Sequence, residues 1–237
     1  MREQIYTIPI NEAFNEVRED STIGCPICRV TAKLEENELD LILGASMMEP
    51  DIRIRTNKEG FCGTHYEKML GMKNRLSLAL MLESHLDEVK KGLDGSLLSA
   101  LVGKKHEAAG KYMEKMKGSC YICGKVSMHL ARTISNLAEM YRVDGEFRAK
   151  YAEMPYFCIP HAKALLDGAK KELAGKELSA FTDVTLRVVR GYLETLKDDV
   201  SWFCKKFDYR YADEPWGNAK DAPQRAAAFL TGKREEK

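Results

Sequence analysis

Apolar residues recur along this chain at helical spacing. Phe181, Val184, Val188, Tyr192, Leu196 and Val200 fall three or four residues apart, so they share one face of a long helix. Val126, Leu130, Ile134, Leu137 and Tyr141 make a second stripe. Leu76, Ala79/Leu80, Glu83, Leu86, Val89 and Leu93 make a third with one polar interruption, and Val30, Leu34 and Leu41 a thinner fourth. Alternating strand patterns joined by Asn-Gly or Asp-Gly turns are absent, and Asp94-Gly95 reads as a helix stop. Proline and glycine cluster at segment ends. The expectation is an all-α protein with helices over 11–19, 26–46, 51–58, 63–72, 74–93, 96–117, 124–143, 146–153, 159–173, 177–209 and 219–231. The aromatic stretch 207–217, FDYRYADEPWG, reads as a loop that packs back on the body, because its rings are costly to leave in water.

The pattern repeats. CPIC at 25–28 is followed 33 residues later by CGTH at 62–65. CYIC at 120–123 is followed 34 residues later by CIPH at 158–161. Phe61 precedes Cys62 as Phe157 precedes Cys158, and DIRIRT at 51–56 stands 95 residues before EFRAKY at 146–151. One register held over several landmarks indicates a duplicated unit, dividing the chain into repeats at 1–95 and 96–237.

Two cysteines separated by two residues can both face one ion, and a Cys-x-x-His pair from a distant segment completes a tetrahedron. The expected grouping is one Cys3His site per half: Cys25, Cys28, Cys62 and His65 in the first, Cys120, Cys123, Cys158 and His161 in the second. The Cys-x-x-Cys of one half could instead pair with the Cys-x-x-His of the other. Gly60 and Pro160 place Cys62 and Cys158 at helix N-termini, where the dipole favours thiolate. Closed four-ligand sets of this kind hold structural zinc, here two Zn2+ per chain, stapling helices that a modest core leaves loosely held. The alternative is an iron–sulfur cluster on the same ligands. Cys-Pro-x-Cys also occurs in thioredoxin-like redox proteins, but there it follows a strand, and no strand is read here. Arg29 and Lys125 stand beside the second cysteines, placed to offset the thiolate charge. Cys204 reads as a small buried hydrophobe, His85 as a hydrogen-bonded helix residue, His129 as structural or adjacent to the ligands, and His106 as solvated.

Charge narrows the function classes. Lys+Arg number 37 and Asp+Glu 36 in 237 residues, a net +1 that gives no general attraction for nucleic acid or anionic membranes. The lysine-rich stretch 103–117 reads as a solvated helix face. The N-terminus lacks an apolar core of signal-peptide length, and no window approaches the ~20 residues that span a bilayer, so a cytoplasmic location is expected. No nucleotide-binding, serine-hydrolase or metalloprotease motif is present, and no acid–base pair stands out, which points away from an enzyme.

The motifs CPIC…FCGTH and CYIC…FCIPH, with the tail YRYADEPWGNAKDAPQRAAAFLTG, resemble those of a bacterial family of unknown function. The resemblance implies metal binding through the eight motif positions and supplies no activity. Tyr121 replaces the proline of the second Cys-x-x-Cys, at a position that is not a ligand. The reading is therefore a zinc-stapled helical scaffold or protein-interaction module, with an unidentified protein as partner and an iron–sulfur or redox-sensing protein as the alternative.

Overall fold

The computed structural model describes residues 4–94 and 105–232. Eleven α-helices and no strand occur among them. They are α1 (Gln4–Glu19), α2 (Pro26–Leu43), α3 (Pro50–Glu59), α4 (Gly63–Gly71), α5 (Arg75–Asp94), α6 (Lys105–Lys117), α7 (Tyr121–Val143), α8 (Gly145–Ala152), α9 (Ile159–Glu172), α10 (Gly175–Lys205) and α11 (Ala222–Thr231). The expected all-α class holds. The run long, short, ligand-bearing, long occurs twice, as α2–α5 and as α7–α10. The first part of the expected 96–117 helix, and of the lysine-rich stretch, lies outside the described residues.

The chain forms two compact units, and they are not the halves expected from the repeat. One comprises Met1–Ala32 with Leu130–Lys237, the other Lys33–His129. The unit boundaries fall inside α2 and α7 rather than at residues 95–96, which lie outside the described residues.

The first unit is built on an aromatic core. Phe14 of α1, Phe147 and Tyr151 of α8, Phe157, and Phe181 of α10 are all 1% exposed or less. Tyr151 lies 4.8 Å from Phe157 and 5.1 Å from Phe181 between ring centroids, close enough for ring–ring attraction beyond area burial. Its hydroxyl meets Thr185 Oγ1 at 2.7 Å. Thr185 donates to the Phe181 carbonyl, so Tyr151 is the donor to Thr185 and both hydroxyls are satisfied. Two of the sequence stripes point into this core: Ile134, Leu137 and Tyr141 of α7, and Phe181, Val188 and Leu196 of α10 are buried. Gly168 lets α9 approach α7, since a Cβ there would stand 2.3 Å from Ile134 Cγ2.

The second unit has its own core of Leu39, Ile42, Leu43, Met47, Phe61, Met69, Leu78, Met81, Tyr121 and Ile122. Here the α5 stripe read from the sequence is the wrong face. Leu76 is 70% exposed and Leu86 61%, whereas Ser77, Leu78, Met81 and His85 are buried. Two apolar rows run along α5, and the methionine row packs inward. Leu41 is likewise exposed, with Leu39 and Ile42 buried beside it on α2.

The tail follows expectation only in part. Helix α10 ends at Lys205, and Phe207 and Tyr209 project into solvent at 75% and 87% exposure. Rings and polar groups together hold the segment: Tyr211 meets Trp202 at 5.8 Å and Trp216 meets Phe203 at 5.7 Å between ring centres. Lys206, buried, donates to the carbonyls of Tyr211, Ala212 and Glu214, and its ammonium lies 5.4 Å from the Trp216 ring centre. Trp202 Nε1 donates to the Pro215 carbonyl at 3.0 Å. Cys204, expected buried, is exposed.

Candidate metal centres

The eight expected ligand residues meet in two groups, crossed between the sequence halves. Cys25, Cys28, Cys158 and His161 form site 1, and Cys62, His65, Cys120 and Cys123 form site 2. The grouping of Cys25 and Cys28 with Cys62 and His65, and of Cys120 and Cys123 with Cys158 and His161, is thereby corrected. Each Cys-x-x-Cys meets the Cys-x-x-His of the other half of the sequence. Site 1 lies wholly within the first unit and site 2 within the second.

Local structure explains how each pair is presented. Cys25 and Cys28 bracket the start of α2, and Cys120 and Cys123 the start of α7. Cys62 is the N-cap of α4 and Cys158 the N-cap of α9, so all four segments aim helix N-termini at the sulfurs. Pro160 occupies the first turn of α9, where its missing N–H costs nothing. Gly60 ends α3 with φ 59°, and a Cβ there would collide with the His85 ring at 2.7 Å. His85 is fixed in turn by its Nδ1, which donates to the Asn57 carbonyl at 2.8 Å, the role expected of it. In site 2 the two ligand segments are also tied directly: Tyr121 N donates to the Gly60 carbonyl at 2.9 Å, and Ser119 Oγ to the Glu59 carbonyl at 2.6 Å.

Within each group all ligand atoms lie within 4.8 Å of one another. Both histidines turn Nδ1 to the sulfurs. In site 1 His161 Nδ1 is 3.2, 3.3 and 3.8 Å from Cys158, Cys28 and Cys25. In site 2 His65 Nδ1 is 3.1, 3.3 and 3.5 Å from Cys62, Cys120 and Cys123. Sulfur–sulfur distances are 3.6 Å for Cys28–Cys158 and 3.9 Å for Cys62–Cys123. One tetrahedral ion about 2.3 Å from sulfur and about 2.0–2.1 Å from nitrogen sets these edges near ~3.8 and ~3.6 Å. Each group is therefore able to hold a metal ion.

The electrostatics call for one. Burial works against ionising Cys25, but hydrogen bonds from Cys158, Cys28 and His161 outweigh it and hold that thiol well below its usual range. Cys28 is pushed far up by its contacts with Cys158 and Cys25, and Cys158 to about 12, chiefly by Cys25. In site 2 burial again opposes ionisation of Cys120, yet His65 and neighbouring amides bring it down to about 6. Burial and the adjacent Cys120 raise Cys123 to about 12. Three thiolates cannot share one small volume without a cation among them, and a divalent metal supplies it by displacing the remaining protons.

The outer contacts of the two histidines differ. His65 Nε2 lies 2.9 Å from Glu35 Oε1, and the other Glu35 oxygen takes Lys68 Nζ at 2.7 Å. His161 Nε2 meets a hydroxyl, Thr31 Oγ1 at 3.4 Å, whose proton goes to the Ile27 carbonyl. Neither Glu35 nor Thr31 was singled out in the sequence. Glu35 follows Cys28 by seven residues on α2, two helical turns, but its target belongs to the other site. Arg29, expected beside the thiolates, pairs instead with Glu16 at 2.6 Å. His129 pairs with the buried Glu38 at 3.3 Å, and His106 is exposed.

No described helix is long and apolar enough to cross a membrane. A family model described as "Family of unknown function (DUF6062)" matches residues 1–237. No curated protein and no solved structure matches the chain.

Proposed function

The chain belongs to that family over its whole length, and we propose that it is a helical scaffold or protein-interaction module whose two units are each stapled by one structural Zn2+. The observation that carries this reading is the spacing of the ligand atoms. Sulfur–sulfur edges of 3.6 and 3.9 Å suit thiolates on one ion. A cluster spreads its cysteines over several iron atoms and would hold them wider apart. Thiolate-rich ligation with one imidazole favours zinc among the divalent ions.

The donor sets also support a structural role over a catalytic one. Each supplies four protein ligands and leaves no position for water or substrate. In site 1 the ligands come from segments about 130 residues apart, as between Cys28 and Cys158, so the ion closes a loop that encloses the whole second unit. Structural zinc contributes on the order of 10 kcal/mol to folding of small domains. The near-neutral charge favours a protein partner over nucleic acid or a membrane surface.

Metal analysis of protein purified anaerobically without added metal, read beside its visible spectrum, tests this. Two zinc per chain and no colour are expected. Iron with sulfide-to-metal absorbance would replace the scaffold with an electron-transfer or redox-sensing protein, and a metal-free folded protein would end the reading.

A further inference from the structure

The two candidate centres share a ligand set but not an environment. In site 1, Cys25 and Cys158 are each 1% exposed. The third sulfur, Cys28, is roofed by the end of α11, where the Gly232 carbonyl stands 3.6 Å from it. Gly232 adopts φ 71° as the C-cap of that helix, and a Cβ built on it would lie 3.4 Å from Cys158 Sγ. The last helix of the chain thus closes over the centre. In site 2 only His65 is buried; Cys62 and Cys120 are half-buried and Cys123 is exposed. The adjacent Gly124 has only Glu59 Oε2, at 3.9 Å, near its Cβ direction.

We propose that site 2 is an oxidation-sensitive metal centre, with Cys123 as its reactive sulfur and Cys62 as its disulfide partner, while site 1 is shielded. This deepens the zinc reading and rests on it. Oxidation of metal-bound thiolate requires that an oxidant reach the sulfur, and access is what separates the two centres. The oxidant class is hydrogen peroxide. The Cys123 thiolate attacks one peroxide oxygen, the O–O bond breaks, and hydroxide leaves as a sulfenic acid forms. The Cys62 thiolate, 3.9 Å away, then attacks that sulfur and expels a second hydroxide. Two thiolates are oxidised by two electrons, peroxide is reduced, and two protons from solvent convert the hydroxides to water. With two of its thiolates in a disulfide, the centre keeps one sulfur and one imidazole and releases its ion. The cross-link itself joins the start of α4 to the start of α7, so the unit keeps a covalent tie where it loses the ionic one.

The test uses the full-length zinc-loaded chain carrying Cys204→Ser, which removes the exposed thiol outside both centres. Metal content is measured first. Limiting hydrogen peroxide is then added, zinc release is followed with a chromogenic chelator, and disulfides are mapped by mass spectrometry without reduction. The expected result is loss of one of the two zinc equivalents, a Cys62–Cys123 cross-link, and unmodified Cys25, Cys28 and Cys158. Iodoacetamide labelling of untreated zinc protein supplies an arm free of folding effects, with Cys123 labelled before any other ligand. Simultaneous loss of both ions, first oxidation at site 1, or labelling of Cys25, Cys28 or Cys158 ahead of Cys123 would overturn the proposal. Absence of zinc at the outset would instead overturn the metal reading, before peroxide is added.

Discussion

His65 and Glu35 stand 2.9 Å apart, Nε2 to Oε1, with the other face of the imidazole turned to three sulfurs. A carboxylate behind a ligating histidine fixes the tautomer that leaves Nδ1 free to bind metal and raises the basicity of that nitrogen. Lys68 holds the carboxylate in place. Substituting Glu35→Gln keeps the shape but removes the charge, and such partners are worth roughly 10–100-fold in metal affinity. Chelator competition on the variant should show one site weakened by about that factor and the other unchanged. Equal weakening of both sites, or of neither, would contradict the arrangement.

The crossed grouping makes a prediction that two single substitutions cannot. Cys25 and Cys158 lie in the same site. Under a within-half grouping they would belong to different sites. The double variant Cys25→Ser/Cys158→Ser should therefore retain one zinc per chain, the one held by Cys62, His65, Cys120 and Cys123. Retention of none, in a protein that stays folded by circular dichroism, would restore the grouping by halves. The companion variant Cys25→Ser/Cys123→Ser removes one ligand from each site and should lose both ions.

Helix positions and the Cys and His residues of the two groups were legible because they rest on local rules. Eight of the observed helices begin and end within three residues of the ranges read from spacing, and Cys62 and Cys158 sit at N-caps as Gly60 and Pro160 indicated. What was illegible is long-range. Spacings of 33 and 34 residues are compatible with either pairing, since spacing says nothing about which distant segment a Cys-x-x-Cys packs against. Glu35 carries no mark that separates it from Glu36 or Glu38 on the same helix. Along α5, two apolar rows compete, and which one faces inward depends on the neighbours that α5 meets, not on its own period. Phe207 and Tyr209 show the limit of an average argument: Tyr211 and Trp216 pack on Trp202 and Phe203, and Lys206 binds three carbonyls, while Phe207 and Tyr209 stay largely in solvent.

Tyr151 tests whether the first unit's core depends on its ring or its hydroxyl. Tyr151→Phe removes a donor whose partner, Thr185 Oγ1, still donates to the Phe181 carbonyl. That change should cost about 1 kcal/mol, the net worth of one hydrogen bond. Tyr151→Ala opens a cavity among Phe14, Phe147, Phe157 and Phe181 and should cost about 3–5 kcal/mol. Urea denaturation of the metal-loaded protein separates the two. Near-equal losses would mean that the hydroxyl pair, not ring packing, dominates there.

Lys206 is the remaining test, and it bears on the tail alone. A buried ammonium is tolerated only when its protons are accepted, and here three carbonyls accept them while the Trp216 face lies 5.4 Å away. Lys206→Met keeps most of the side-chain volume and removes the charge. The carbonyls of Tyr211, Ala212 and Glu214 then lose their donor, a loss of about 1–3 kcal/mol for each acceptor that water cannot reach. The tail should loosen from the end of α10 and expose Trp202 and Trp216, so their fluorescence should shift to the red and acrylamide should quench it more strongly. Zinc content should stay at two per chain, because none of the eight cysteines and histidines of the two centres lies in this segment. An unchanged emission spectrum would show that the Trp202 bond to the Pro215 carbonyl and the ring contacts of Tyr211 and Trp216 are enough to hold the tail.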